Sequence, residues 1–190
     1  MHEFIDIQLA SRYDNVLRRE LFARFLWIAK SHHRAILILA RQGSVIGSAF
    51  ALWRPMVEAA YRGLFVGFLA TEEQIVCITR GGKPYPRPFD EFAYALDDTF
   101  KTDKFFSKYA GEAWNALNGF THGGLEQLIS RMNEDGIVGD HFDSEEILDL
   151  IKSSTSLLTD TSIRFLEGMG RYEAAQAMTV KHAELYPVLS

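Results

Sequence analysis

Three charged side chains, Arg54, Glu58 and Arg62, recur every four residues inside a long apolar stretch. On an α-helix that spacing stacks them on one face over two turns. Charges are seldom left unpaired in an apolar setting, because desolvating an ion is expensive. The stripe must therefore line a cleft or form an internal polar network. As a site, two guanidinium groups bind a phosphate or carboxylate, and Glu58 orients them or acts as a base. As scaffold, the same Arg–Glu–Arg set holds helices in register.

A second constellation is Asn115, Asn118 and His122, which also share one helical face. Asparagine is a poor helix former, and Gly119, Gly123 and Gly124 add to the local cost. A helix that carries this much unfavourable propensity marks a candidate site. His122 titrates in the physiological range and can act as acid, base or ligand. The structural alternative is a histidine hydrogen-bonded inside a bundle, with glycines that only permit close packing.

Weaker candidates surround these two. His32 and His33 fall in mid-helix and read as core or surface residues. Asp140, His141, Asp143 and Glu145 cluster in one loop, at spacings that match no calcium loop or zinc motif, so no metal site is expected. Gly81-Gly82-Lys83 lacks the spacing and strand–helix context of a phosphate-binding loop. Lys101, Lys104 and Lys108 form a short basic stripe that reads as a solvated face. No cofactor motif is found.

The elements that must position these residues are helical almost throughout. Apolar residues recur at helical spacing, and no period-2 run or Asn-Gly or Asp-Gly hairpin stands out. The pattern predicts a first long helix over about Ile7–Arg41, ended by Gly43, with Ser44 capping the next. That next helix, at about 44–70, is apolar nearly all round and should be buried at the centre, bent near Arg54 by Pro55. Gly63 and Gly67 allow another helix to approach it closely. A short helix follows over Glu72–Arg80. A loop holding three of the five prolines, Pro84, Pro86 and Pro88, comes next. A modest helix over Phe89–Phe100 leads to a long one from about Phe105 to Met132, kinked at Gly123-Gly124. Asp143 or Ser144, followed by Glu145 and Glu146, opens the last long helix. A final segment covers Arg171–Leu185. The expected fold is all-α: one single-domain bundle over 1–190, with about four long helices plus short ones.

Composition narrows the function classes. The chain has 190 residues, 47% of them hydrophobic and 13% aromatic, enough for a sizeable core. Lys plus Arg total 20 against 25 Asp plus Glu, a net charge of −5, which lacks the footprint of a dedicated DNA-binding domain. The single cysteine, Cys77, excludes an internal disulfide and reads as a core residue. The chain opens Met-His-Glu with no basic run into an apolar segment, so no signal peptide is expected and the cytoplasm is the default compartment. Arg54, Glu58 and Arg62 argue against a membrane span at 45–70.

The run from Arg54 to Gly63, followed by Trp114, Leu117-Asn118, Thr121-His122-Gly123 and Gln127-Leu128, resembles a group of uncharacterised bacterial all-helical domains. More loosely, it resembles the HEPN superfamily, helical bundles that include RNA-cutting toxins and defence effectors. Their motif is an arginine followed by a polar residue such as Asn, then three residues and a histidine. Asn118 and His122 match it; Leu117 stands where the arginine should be. The resemblance implies binding or metal-independent cleavage of RNA or a nucleotide, with His122, Asn118 and Arg62 as the catalytic set, and a homodimer that forms the cleft. It then requires a guanidinium from Arg54 or Arg62 to lie within hydrogen-bonding reach of the His122 region. Two other classes stay open: a non-catalytic module that holds a small anion or a partner at the same face, and an interaction protein whose polar face is purely structural.

Overall fold

A computed structural model of the chain describes residues 17–83, 89–122, 124–132, 135–139 and 141–185. Among these the fold is all-α, and four helices are long. These are α1 (Leu17–Gln42), α2 (Ile46–Leu64), α5 (Phe105–His122) and α7 (Ser144–Gly168). The shorter ones are α3 (Glu72–Thr79), α4 (Phe89–Phe100), α6 (Leu125–Ile129) and α8 (Tyr172–Leu185). The predicted start of the first helix, Ile7–Val16, and the prolines of the 84–88 loop lie outside the described residues.

The helix α2 is the centre. It packs against α1, α5 and α7, while α4 lies on α5 and α8 on α7. Trp53, Met56, Val57, Ala60, Tyr61 and Leu64 all fall on its buried side. Each large apolar side chain taken fully out of water contributes about 1.5–3 kcal/mol, so these positions dominate the core. The helix is not buried all round, however. Arg54, Glu58 and Arg62 stand on the remaining side, which is half-buried. Nor does Ser44 cap it: Val45 occupies the N-cap position and makes no side-chain cap bond.

The expected helix to residue 70 changes form at its end. Phe65–Leu69 is a π turn, closed by the Ala70 amide donating to the Phe65 carbonyl at 2.8 Å. The turn leaves carbonyls without helical partners, and Arg18 of α1 takes two of them. Its guanidinium donates to the Val66 oxygen at 2.8 Å, to the Ala70 oxygen at 2.8 Å and to Glu72 Oε1 at 2.7 Å. Gly63 and Gly67 do allow the close approach expected of them. A Cβ at Gly67 would sit 2.5 Å from the Phe22 ring of α1, so the ring occupies the space a side chain would take. Phe22 in turn meets Phe68 and Phe165 edge to face.

Local capping sets the other boundaries. Thr71 and Gln74 form a capping box at α3, and Asp143 with Glu146 forms one at α7. The acidic loop residues Asp143 and Glu146 are thereby accounted for structurally. The long helix expected to run to Met132 stops at His122, and α6 starts afresh at Leu125. Between α4 and α5 the chain turns sharply, with Lys101 and Lys104 at φ 53° and 56°, a strained region for residues with a Cβ. Asp97 holds that turn: its buried carboxylate accepts from the Thr102 hydroxyl, from the Phe106 amide at 2.9 Å and from the Ser107 amide at 2.8 Å. Burial alone would push this carboxyl up, but the bonds from Thr102, Ser107 and the two amides outweigh it and hold it below its usual range.

Candidate functional site

The predicted residues converge where the end of α5 meets the middle of α2. The two helices run antiparallel. Tyr61 donates to the Phe106 carbonyl at 2.7 Å, and Thr121, at the other end of α5, reaches the Ala51 carbonyl at 3.5 Å. The second contact follows from Pro55. A proline has no N–H, so the carbonyl four residues earlier, that of Ala51, loses its helical donor. The Thr121 hydroxyl takes that place, and His122 is carried alongside Arg54.

The arginine stripe forms a connected network. Arg54 Nε donates to Glu58 Oε1 at 3.1 Å, and Arg62 Nη2 donates to Glu58 Oε2 at 2.7 Å. One carboxylate therefore orients both guanidinium groups. The network continues across to α5, where Arg54 Nη1 lies 2.5 Å from His122 Nε2. A guanidinium can only donate, so His122 Nε2 is the acceptor here and carries no proton. The imidazole thus presents its basic nitrogen to a fixed cation.

The arginine that reaches His122 is Arg54. Arg62 sits two turns further on, about 12 Å along the helix axis. Its side chain is 41% exposed, against 20% for Arg54, so it forms the open end of the stripe. Asn118 lies one turn before His122 on the same face of α5. Its Oδ1 is buried and has no hydrogen-bond partner among the described residues. A buried amide oxygen without a partner is destabilising and offers a receptor point for a donor group. The Asn115 side chain lies outside the described residues. The site thus combines two cations, one anion and one imidazole acceptor.

The weaker candidates separate from this site. His33 is buried and pairs with Thr155 of α7 at 3.0 Å. The Thr155 hydroxyl already donates to the Ile151 carbonyl at 2.7 Å, so His33 Nε2 is the donor, and the pair ties α1 to α7. Burial pushes the neighbouring His32 imidazole down. Lys101 pairs with Asp98, and Cys77 is half-buried. Among the described residues no group of three or more His, Cys, Asp or Glu is placed to hold a metal ion. No described helix is long and apolar enough to cross a membrane. A cavity of about 250 Å³ opens between α1, the π turn and α7, lined by Arg18, Phe22, Gly67, Phe68, Phe165 and Met169. None of the predicted site residues lines it.

Sequence reasoning missed a second ionic network, on α7. Arg164 stands between Asp160 at 3.5 Å and Glu167 at 3.4 Å, and its guanidinium lies 4.8 Å above the Phe100 ring. Burial pushes the Asp160 carboxyl above its usual range; Arg164 pulls it back and Glu167 pushes it further up. The i, i+4 and i+7 spacing was visible, but nothing in it separates a half-buried network from a solvated face. The Thr121–Ala51 contact was also missed, although Pro55 signalled a freed carbonyl at position 51.

Residues 26–189 match the model of a family of unknown function, DUF6988, so the match takes in every site residue above. No curated protein and no solved structure matches the chain.

Proposed function

We propose, for a chain that belongs to the DUF6988 family of unknown function, that the Arg54–His122 junction binds the phosphate of RNA or a nucleotide and cleaves RNA without a metal. The observation that carries this reading is the contact of Arg54 Nη1 with His122 Nε2 across two helices. It supplies a guanidinium to the histidine that Leu117 cannot provide from its own helix, which is what a HEPN-like arrangement needs. The half-exposed stripe from Arg54 to Arg62 offers two cations to a phosphodiester.

In the cleavage step a phosphate oxygen takes the Arg54 N–H groups and releases His122. The freed Nε2 accepts the proton of the ribose 2′-hydroxyl as that oxygen attacks phosphorus. The bond from phosphorus to the 5′ oxygen breaks, and the leaving oxygen takes a proton from water. Arg54, still held by Glu58, offsets the charge that develops on the phosphorus oxygens.

A scaffold reading is favoured by one observation: Glu58 takes one bond from each arginine, a pairing complete without a ligand. The two readings part in one experiment. Purified wild type and His122→Ala are incubated with single-stranded RNA in chelator-containing buffer. Cleavage by the wild type, lost in a normally folded variant, is the expected result. No cleavage by the wild type removes the nuclease proposal. If RNA also fails to bind in a filter or anisotropy assay, the scaffold reading holds.

A further inference from the structure

Beyond α5 the chain exposes a run of large apolar side chains and fixes them there. On α6 and the turn that follows, Leu125 is 67% exposed, Leu128 65%, Ile129 64% and Met132 59%. The chain then doubles back and adds Ile137 at 60% and Val138 at 80%. The return is tied at several points. Met132 pairs with Val138 in an isolated β-bridge. The Gly139 amide donates to the Arg131 carbonyl at 2.9 Å, and the His141 amide to the Ser130 carbonyl at 2.9 Å. His141 Nε2 donates to the Ile137 carbonyl at 2.8 Å. Phe142, next along the chain, stacks on Phe50 of α2 with ring centroids 4.7 Å apart, which pins the segment to the body. An exposed apolar cluster of this kind marks an interaction surface. One already held in place loses little conformational freedom when it is covered.

Charge selects what covers it. From Leu125 to His141 the sequence holds four acids, Glu126, Glu134, Asp135 and Asp140, against one arginine, Arg131. Asp135 is exposed, whereas Arg131 is half-buried. The Arg131 guanidinium rests against Gly47 of α2, where an added Cβ would lie 2.8 Å from Nη2. The segment's one arginine is thus engaged with the body, and the charge left to a visitor is negative. A second copy would set the same acids against each other, and anionic lipid headgroups or nucleic acid would be repelled. We propose that this face takes an amphipathic helix of a partner protein whose apolar stripe is flanked by Lys or Arg. Leu125, Leu128, Ile129 and Met132 recur at i, i+3, i+4 and i+7, a ridge against which a helix of the same spacing packs. Six such side chains, about two-thirds open, offer on the order of 250–500 Å² of apolar surface. An interface at the transient end of the range buries up to about 600 Å² per partner, a little over half of it apolar. The patch fits that class, and it does not depend on what the Arg54 site binds.

The probe is a labelled peptide of about 18 residues, five helical turns, with Leu at i, i+3, i+4 and i+7 and Lys beside them. The full chain is titrated into it and read by fluorescence anisotropy. Two control peptides have the same composition in shuffled order, or Glu in place of Lys. The Leu/Lys peptide should bind about tenfold more tightly than either control. Leu128→Ser with Ile129→Ser should weaken it about tenfold with unchanged helical circular dichroism. Val138→Ser, outside any helix, should weaken it several-fold and reads the same patch if the double variant fails to fold. Asp135→Lys should weaken the Leu/Lys peptide and tighten the Glu peptide. Val180→Ser, on the exposed side of α8, should change neither. The proposal is overturned if the wild type fails to bind at about 100 µM, if a control peptide binds equally well, or if binding survives both patch variants. A dimer by light scattering, or capture by phosphatidylcholine vesicles, that Val138→Ser abolishes would overturn it too, giving the face to a second copy or a membrane.

Discussion

The helices α2 and α7 each carry a three-ion network built at helical spacing, and the two are opposites. On α2 the order is plus, minus, plus: Arg54, Glu58, Arg62. On α7 it is minus, plus, minus: Asp160, Arg164, Glu167. The first is held by one carboxylate and ends on the imidazole of another helix. The second is folded under a phenylalanine ring, with Asp160 Oδ2 and Arg164 Nε buried and unbonded to any described residue. The two sets are exposed alike, 20–41% on α2 and 25–40% on α7, and they differ in what faces them: an imidazole on α2 and an aromatic ring on α7.

That contrast breaks first at Arg164. Removing it leaves Asp160 charged and largely buried with no counter-ion, so Arg164→Ala should lower unfolding free energy by about 3 kcal/mol in urea titration. If the loss is no larger than for Arg54→Ala, the two networks do not differ in kind.

The next largest effect tests a buried carboxylate held by N–H and O–H donors in place of an arginine. Asp97→Ala should cost about 2 kcal/mol, since it strips the start of α5 of its acceptor. The two carboxylates should respond to acid in opposite directions. The Asp97 carboxyl is depressed in the folded state, so its contribution is present above the unfolded value near pH 3.9 and is lost as pH falls through the folded one. The Asp160 carboxyl is raised, so its ionised form destabilises the fold at neutral pH and relief comes as pH falls. Asp160→Asn should accordingly gain most over wild type near neutrality, and the gain should vanish below about pH 4. A constant gap across pH would remove burial as the cause.

Smaller effects sharpen the α2 side. Glu58→Gln should cost about 1 kcal/mol, because the stripe is partly solvated. It should also tighten phosphate binding several-fold by removing the competing anion. His122→Ala should change stability by less than about 0.5 kcal/mol, since the residue is exposed. Its effect should appear in activity. A stability loss from His122→Ala that matched the loss from Arg164→Ala would place both networks in the scaffold.

Helix periodicity, capping residues and the stripe at Arg54, Glu58 and Arg62 were all legible in the sequence, because each depends on neighbours within one or two turns. The pairing of His122 with Arg54 was framed by the resemblance, as a contact with Arg54 or Arg62, and needed the antiparallel register of α5 on α2 to select Arg54. What stayed hidden depends on distant partners. Nothing near Asp97 says that it will serve Phe106 and Ser107, and nothing near Arg18 says that it will bond carbonyls of the π turn beyond α2. The central helix is covered on most sides, as its apolar content predicts, and only the side bearing Arg54, Glu58 and Arg62 stays half-buried. Apolar content measures what a helix can bury, whereas the count of neighbours decides what it does bury.

The π turn at Phe65–Leu69 has a consequence for how the chain length can vary. An i to i+5 ring holds one more residue than an α-helical one, so the turn is an α-helix with a single residue added. Deleting one residue there should restore an unbroken helix at little local cost. Every side chain beyond it would then rotate by about 100° relative to those before it. Phe68 would leave Phe22 and Phe100, and Arg18 would lose the carbonyls it bonds. The segment is thus easy to shorten locally and hard to shorten globally, so a one-residue deletion in the turn should not be tolerated.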